Sequence, residues 1–254
     1  MSSFERNLII LIVIIGICVL IYNICKSRDQ EYRRRLLLYL CIINIVIYVI
    51  YKVILYFEGN HVAFDSKMSY LFNCLPFHLC SINLIILPIA LVRRNKWLTM
   101  FTFYTASLGA SAAILFPDKL FVSRSLLDPV NTAFVVYHSI VVITSISLAL
   151  LGLYRPKIKD MPKVSLMVTI AAGLSFILNR LITGIAGVWI NYFYSAGPAG
   201  NHVLKFAYDL IPVPFVYLLF FLIPLQFLML MEIGAFVPVY RILYKGKDPE
   251  QLQV

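Results

Sequence analysis

The sequence predicts an all-α, polytopic membrane bundle of seven transmembrane helices, with the N-terminus outside and the C-terminus inside. Three observations carry that expectation. Of the 254 residues, 61% are hydrophobic and 13% charged, against about 45–50% and about 25% in a soluble domain. This excludes a soluble enzyme, a coiled coil and a disordered tail. The apolar residues fall into seven blocks, each long enough to cross roughly 30 Å of hydrocarbon, which takes about 20 helical residues. The basic residues alternate between the two sides of those blocks. A net charge of +10 would suggest nucleic acid in a soluble protein. Here the charges sit in short connecting loops, so topology accounts for them and no nucleic-acid partner is expected.

The first span, near Leu8–Ile24, is followed by Lys26, Arg28 and the run Arg33, Arg34, Arg35. Before it stands only Arg6, beside Glu5, and no small-residue cleavage site follows. The pattern is a stop-transfer segment rather than a signal peptide. The second span, Leu36–Phe57, carries Tyr48, Tyr51 and Tyr56 near its end, where amphipathic rings suit the headgroup level. The third, Ser69–Val92, is the richest in polar residues and is predicted to kink at Pro76. Arg93, Arg94 and Lys96 lead into the fourth, Trp97–Leu115. Turn chemistry at Pro117-Asp118 and Asp128-Pro129 precedes the fifth, Thr132–Tyr154. The sixth, Val164–Ile190, exits at Asn191, Tyr192 and Tyr194. The segment from Gly197-Pro198 to Gly200 then turns toward the seventh, Leu210–Val239. Backbone facing lipid must bond internally, so each span is read as a helix. Connections after spans one, three, five and seven hold fifteen Lys and Arg, the opposite side five. That asymmetry sets the N-out, C-in orientation. Residues 1–254 form a single integral membrane domain without an internal repeat.

Polar groups inside a span are costly and face a partner or a cavity. Continuous helix at 100° per residue places Asn73, Pro76, Cys80 and Asn83 on one face of the third span, and Cys74, His78 and Ser81 on an adjoining one. His78 and Cys80 then point apart, so a base for Cys80 must come from another span: His138 in the fifth, or the Asn179-Arg180 pair in the sixth. Rise per residue puts Cys80 ~17 Å and His138 ~10 Å below the outer surface, with Arg180 in the same half. The third, fifth and sixth spans are therefore expected to pack around a polar pocket open toward the outer leaflet. Arg180 needs a partner, for which Asp128 and Asp209 are candidates. Asn44 and Gln226 read as interhelical hydrogen-bonding groups, and Glu232 as a snorkelling side chain or a partner of Arg241. The five cysteines, Cys18, Cys25, Cys41, Cys74 and Cys80, contain no Cys-x-x-Cys pair. No disulfide scaffold, metal site or cofactor is expected.

The run Leu75-Pro76-Phe77-His78-Leu79-Cys80-Ser81 resembles the Leu-Pro-x-His-Leu-Cys motif of the YwaF-like integral membrane proteins of bacteria. The exit of the sixth span, Asn191-Tyr192-Phe193-Tyr194 with Pro198 following, is similar to that family's Asn-Tyr-x-Tyr…Pro segment, and His138 matches a histidine of a later span. The bacterial family in turn resembles the eukaryotic transmembrane protein 164 group of lipid acyltransferases. What the resemblance implies is an enzyme of the bacterial cell membrane, with Cys80 as nucleophile and His138 as base.

On that basis the expected function is intramembrane lipid acyl transfer, as a phospholipid acyltransferase or a lipase- or thioesterase-like enzyme. Cys80 attacks a phospholipid ester and passes the acyl group to an alcohol or water, so membrane lipids serve as donor and acceptor. A thiol near pKa 8.5 supplies only a few per cent thiolate at neutral pH, and burial lowers that further, hence the base. The substrate-binding set is His78, Asn83, Arg180, Asn191 and Tyr192. In it Asn83 donates to the developing oxyanion and Arg180 holds a phosphate headgroup. Two other classes compete. A transporter or small-solute binder would use the same polar groups for an ion or anion, with Pro76, Pro88, Pro212, Pro214 and Pro224 as hinges. A non-catalytic membrane subunit would tolerate replacement of Cys80 and His138.

Overall fold

The computed structural model describes residues 3–58, 67–117, 125–198 and 202–243. Asp118, Lys119, Arg124, Gly200, Lys245 and Lys247, used above in reading turns and topology, lie outside them. The described residues form helices α1 (Ser3–Cys25), α2 (Gln30–Phe57), α3 (Lys67–Asn73), α4 (Asn83–Arg93), α5 (Lys96–Leu115), α6 (Pro129–Leu150), α7 (Met161–Ala186), α8 (His202–Leu210), α9 (Val216–Leu219) and α10 (Leu222–Leu243). Single 3-10 turns stand at Ile158–Asp160 and Tyr192–Tyr194.

Helix starts follow capping chemistry. The side chains of Asp29, Asn95 and Asp128 accept from the Tyr32, Leu98 and Val130 amides at 2.6, 3.0 and 3.0 Å. These bonds satisfy donors that a first helical turn leaves open. Asp128, a candidate partner for Arg180, is thus the N-cap of α6. Asp209, the other candidate, receives Lys205 at 2.9 Å within α8.

Helix α6 is the hub, packing against α5, α2 and α1, while α4 lies across α5 and α2. In α5 and α6, 61% of the apolar window is buried, but only 17% in α1 and 28% in α2. The central pair is enclosed by protein; the outer helices turn Ile9, Ile12, Ile15, Leu20, Ile43 and Val46 outward. Apolar side chains presented over whole helix faces suit a hydrocarbon environment and no aqueous one. The last carbonyls of α6 and the residue after it are held from two sides. Arg33 donates to Leu151 O at 2.8 Å and Tyr240 to Ala149 O at 3.0 Å. Gln226 of α10 donates to the Ser165 hydroxyl of α7, the interhelical bond expected of it.

Among the described residues, six helical stretches are long and apolar enough to cross a membrane: Glu5–Cys25, Gln30–Phe57, Lys96–Leu115, Pro129–Leu150, Ile158–Ala186 and Val216–Ile242. The third expected span is not one helix. It divides into α3 and α4, and residues 74–82 between them are irregular. Pro76 has no amide proton and disfavours helical backbone at the residue before it, so the chain breaks where a kink was expected. The facial arrangement drawn through Asn73, Pro76, Cys80 and Asn83 assumed unbroken helix and does not hold. The sixth span ends at Ala186, where Gly187 takes the left-handed conformation (φ +63°) that closes a helix readily without a Cβ. The seventh is interrupted between α9 and α10. Tyr48 and Tyr51, expected at headgroup level, are instead buried.

Candidate functional site

The break at 74–82 is the structural device that exposes chemistry inside the bundle. Irregular backbone at such depth is tolerated only when protein satisfies its polar groups. Here the Ile82 amide donates to His78 O at 2.8 Å, and Asn83 Nδ2 to Leu79 O at 2.8 Å. Tyr48 Oη donates to Cys74 O at 2.9 Å and Tyr192 Oη to Phe72 O at 2.6 Å.

Cys80 sits in this break. Its Sγ lies 3.8 Å from Tyr137 Oη, and that hydroxyl lies 2.8 Å from His138 Nε2. His138 Nδ1 is 2.9 Å from Phe134 O. The proton directions follow from valence. A carbonyl oxygen only accepts, so Nδ1 carries the hydrogen and Nε2 is the acceptor. Tyr137 therefore donates to Nε2, and its oxygen is left to accept from the Cys80 thiol. The chain runs from thiol to phenol to imidazole to backbone carbonyl.

Sequential residues on a helix do not normally face each other. Here the His138 ring folds back to the carbonyl one turn earlier, which brings it to 3.8 Å from the Tyr137 ring and 4.2 Å from Phe134. His138 is buried at 1% exposure. Tyr48 packs edge-on to Tyr137 at 5.3 Å and Tyr51 stacks on it at 5.6 Å, which fixes the phenol between α2 and α6. Lys52 Nζ stands 5.4 and 5.1 Å from the Tyr48 and Tyr51 ring centres, a cation–π arrangement.

The other candidates separate into three groups. His78 lies near the break's second wall, 5.2 Å from the Tyr194 ring and 6.4 Å from that of Tyr192, with Nδ1 buried and without a hydrogen-bond partner among the described residues. Asn83 is buried beneath the break and committed, to Leu79 O and to the Thr105 hydroxyl at 3.2 Å. Asn191 closes its own turn, donating to Gly197 O at 2.8 Å and accepting from Ala196 N at 2.9 Å. Arg180 makes no contact with the Cys80 group among the described residues. It is exposed on α7 with its guanidinium 5.4 Å from the Phe176 ring centre. Ala186 ends the helix six residues later, ~9 Å along the axis. A long, exposed side chain can extend most of that distance toward the helix end, so no inward partner is required.

Two residues to which sequence reasoning assigns no role, and one that it offers only as a possible base for Cys80, take those places. Tyr137 joins Cys80 to His138, and Lys52 is the cation beside the aromatic cluster. Asn179 is buried at 1% and organises the turn that carries Tyr192. It donates to Tyr192 O at 3.1 Å and Ser195 Oγ at 2.9 Å, and accepts from Tyr192 N at 2.9 Å. The turn needs such support, because Phe193 and Tyr194 have φ of +59° and +57°, strained for residues bearing a Cβ. Asn179→Ala leaves buried groups unsatisfied and is expected to cost about 2–3 kcal/mol. In detergent it should lower the melting temperature by several degrees, with Arg180→Ala nearly neutral; the reverse order contradicts this assignment.

No curated protein and no solved structure matches the chain. A family model described as the TMEM164 family matches residues 1–232, which include the break, Tyr137, His138 and the Asn179–Tyr192 turn. With its apolar helices, this makes the protein an integral, multi-pass membrane protein. The chain belongs to the TMEM164 family.

Proposed function

We propose that the protein is an intramembrane lipid acyl-transfer enzyme, with Cys80 as nucleophile, Tyr137 as proton relay and His138 as base. The observation that carries this reading is the hydrogen-bonded path from Cys80 Sγ through Tyr137 Oη to His138 Nε2. In the first half-reaction the thiol proton passes to Tyr137 as the Tyr137 proton passes to His138. The sulfur adds to a phospholipid ester carbonyl. The tetrahedral oxyanion is met by backbone amides of the 74–82 break beside Cys80, because the Asn83 side chain is committed elsewhere. Collapse breaks the ester C–O bond, and the leaving lysolipid alkoxide takes the proton back along the relay. An acceptor alcohol or water then repeats the sequence on the thioester and restores the thiol. Lys52 favours the anionic forms of the centre. His78, Tyr192 and the Asn191 turn form the wall against which the lipid lies, and Arg180 meets headgroup phosphate at the rim.

The test uses the purified protein in vesicles containing a phospholipid with an isotope-labelled acyl chain and a lysophospholipid acceptor. Mass spectrometry is expected to find label on the acceptor with the natural protein. Absence of transfer, or equal transfer by Cys80→Ala, rejects the reading.

The reading includes a topology. The pair α3 and α4 crosses as one broken span, which makes seven crossings, N-out and C-in, in the bacterial cell membrane. Helix α4 alone, at eleven residues, is too short to cross. The fifteen-to-five partition of basic residues supports the orientation. A C-terminal tag is expected to survive external protease in intact cells and to be cleaved after lysis; cleavage from outside overturns the orientation.

A further inference from the structure

At the other end of α4, ~16 Å from the break, the bundle holds a pocket of about 280 Å³. Arg34 lines it from α2, Arg94 from the turn between α4 and α5, and Lys96 from the start of α5. Lys157, Lys159 and Lys163 come from the segment that opens α7. Arg155 also borders it, with its guanidinium 5.4 Å from the Tyr240 ring centre. The single carboxylate in the lining, Asp160, already accepts from Tyr154 Oη at 2.9 Å and has Lys163 Nζ at 4.0 Å. Arg94 pairs with Glu31 at 2.8 Å. Lys96, Lys157 and Lys159 have no acidic partner among the described residues.

A positive-inside bias explains why basic residues gather at one end. It does not explain their convergence on one concavity from several helices, where like charges repel unless an anion is present. Two long helices, α5 and α7, also begin at this rim, and helix N-termini carry partial positive charge. The inner wall is apolar, with Leu91, Met100, Leu148 and Leu153. Trp97, 56% exposed, stands at the edge with Lys163 Nζ 5.0 Å from its ring centre. An exposed Trp beside basic residues fits the membrane–water boundary.

We propose that this pocket binds a phosphate group, separately from the Cys80 centre, carried by an anionic phospholipid headgroup or by a soluble phosphate ester. The apolar wall and Trp97 favour the lipid as its source: the phosphodiester lies among the lysines and the glycerol portion lies against the wall.

The full chain in neutral detergent, observed by native mass spectrometry, tests this with phosphatidylglycerol and phosphatidylcholine as probes. Phosphatidylglycerol is expected to be retained about tenfold more strongly. The preference should vanish in Lys157→Ala/Lys159→Ala and weaken in Lys96→Ala. It should persist in Lys26→Ala/Arg28→Ala, which removes two charges at the same end of the bundle but outside the pocket. If glycerol phosphate alone binds with the same lysine dependence and displaces phosphatidylglycerol, the phosphate source is soluble. If it leaves the lipid in place, the source is the headgroup. No headgroup preference, or equal loss in the pocket and control variants, overturns the proposal.

Discussion

Cys80→Ala is expected to reduce acyl transfer by on the order of 10⁵–10⁶-fold, the scale seen when a covalent nucleophile is removed. The protein should still insert and fold. Cys80 is half-buried in an irregular segment, and the bonds that hold that segment come from Tyr48, Asn83 and Tyr192 rather than from the thiol. Cys80→Ser should recover little, because a hydroxyl ionises far less readily than a thiol. Label-transfer rates at matched protein amount check this, with Cys74→Ser as the comparison. Cys74 is tied to the site through its carbonyl, which the substitution keeps. Equal losses from the Cys74 and Cys80 changes would trace the effect to folding.

Tyr137→Phe is expected to lower the rate about 10²–10⁴-fold, the usual worth of positioned proton transfer. It removes one oxygen and keeps the ring that packs against Tyr48 and Tyr51. The loss should fall on kcat more than on KM, because the hydroxyl handles a proton and does not hold the lipid. His138→Ala should lose a similar amount. The Tyr137→Phe/His138→Ala double variant should be hardly worse than the worse single one, since the two act in series. Independent, multiplying losses would show that the phenol and the imidazole do not form one relay.

The sequence exposed these roles unevenly. Uninterrupted apolar blocks located α5, α6 and α7 to within four residues and α1 and α2 to within six, because hydrocarbon thickness constrains length and composition together. The 74–82 break was less legible. Face-by-face counting presupposes a continuous helix, and Pro76 ends that continuity before Cys80 is reached. Hence Asn83 was read onto the Cys80 face, although its amide is spent beneath the break. Cys80 and His138 stood out as reactive groups inside spans, yet the oxygen between them was hidden: Tyr137 precedes His138, and adjacent helical residues normally diverge. Lys52 lies inside the second span and was given no role. Its spacing from Tyr48, together with Tyr51 beside it, was the available signal that it belongs to an aromatic cluster. Arg180 drew attention by the cost of burying a guanidinium, but the nearness of the α7 end removes that cost. Asn179, one residue earlier, faces the interior because a step of 100° separates the two.

The most direct test is to treat the purified protein with a lipid-like electrophile and map the modified cysteines by peptide mass spectrometry. The relay predicts selective labelling of Cys80 over Cys18, Cys25, Cys41 and Cys74, strongly slowed in both Tyr137→Phe and His138→Ala. Equal, slow labelling of several cysteines, or Cys80 labelling indifferent to both substitutions, would contradict a relay-activated nucleophile.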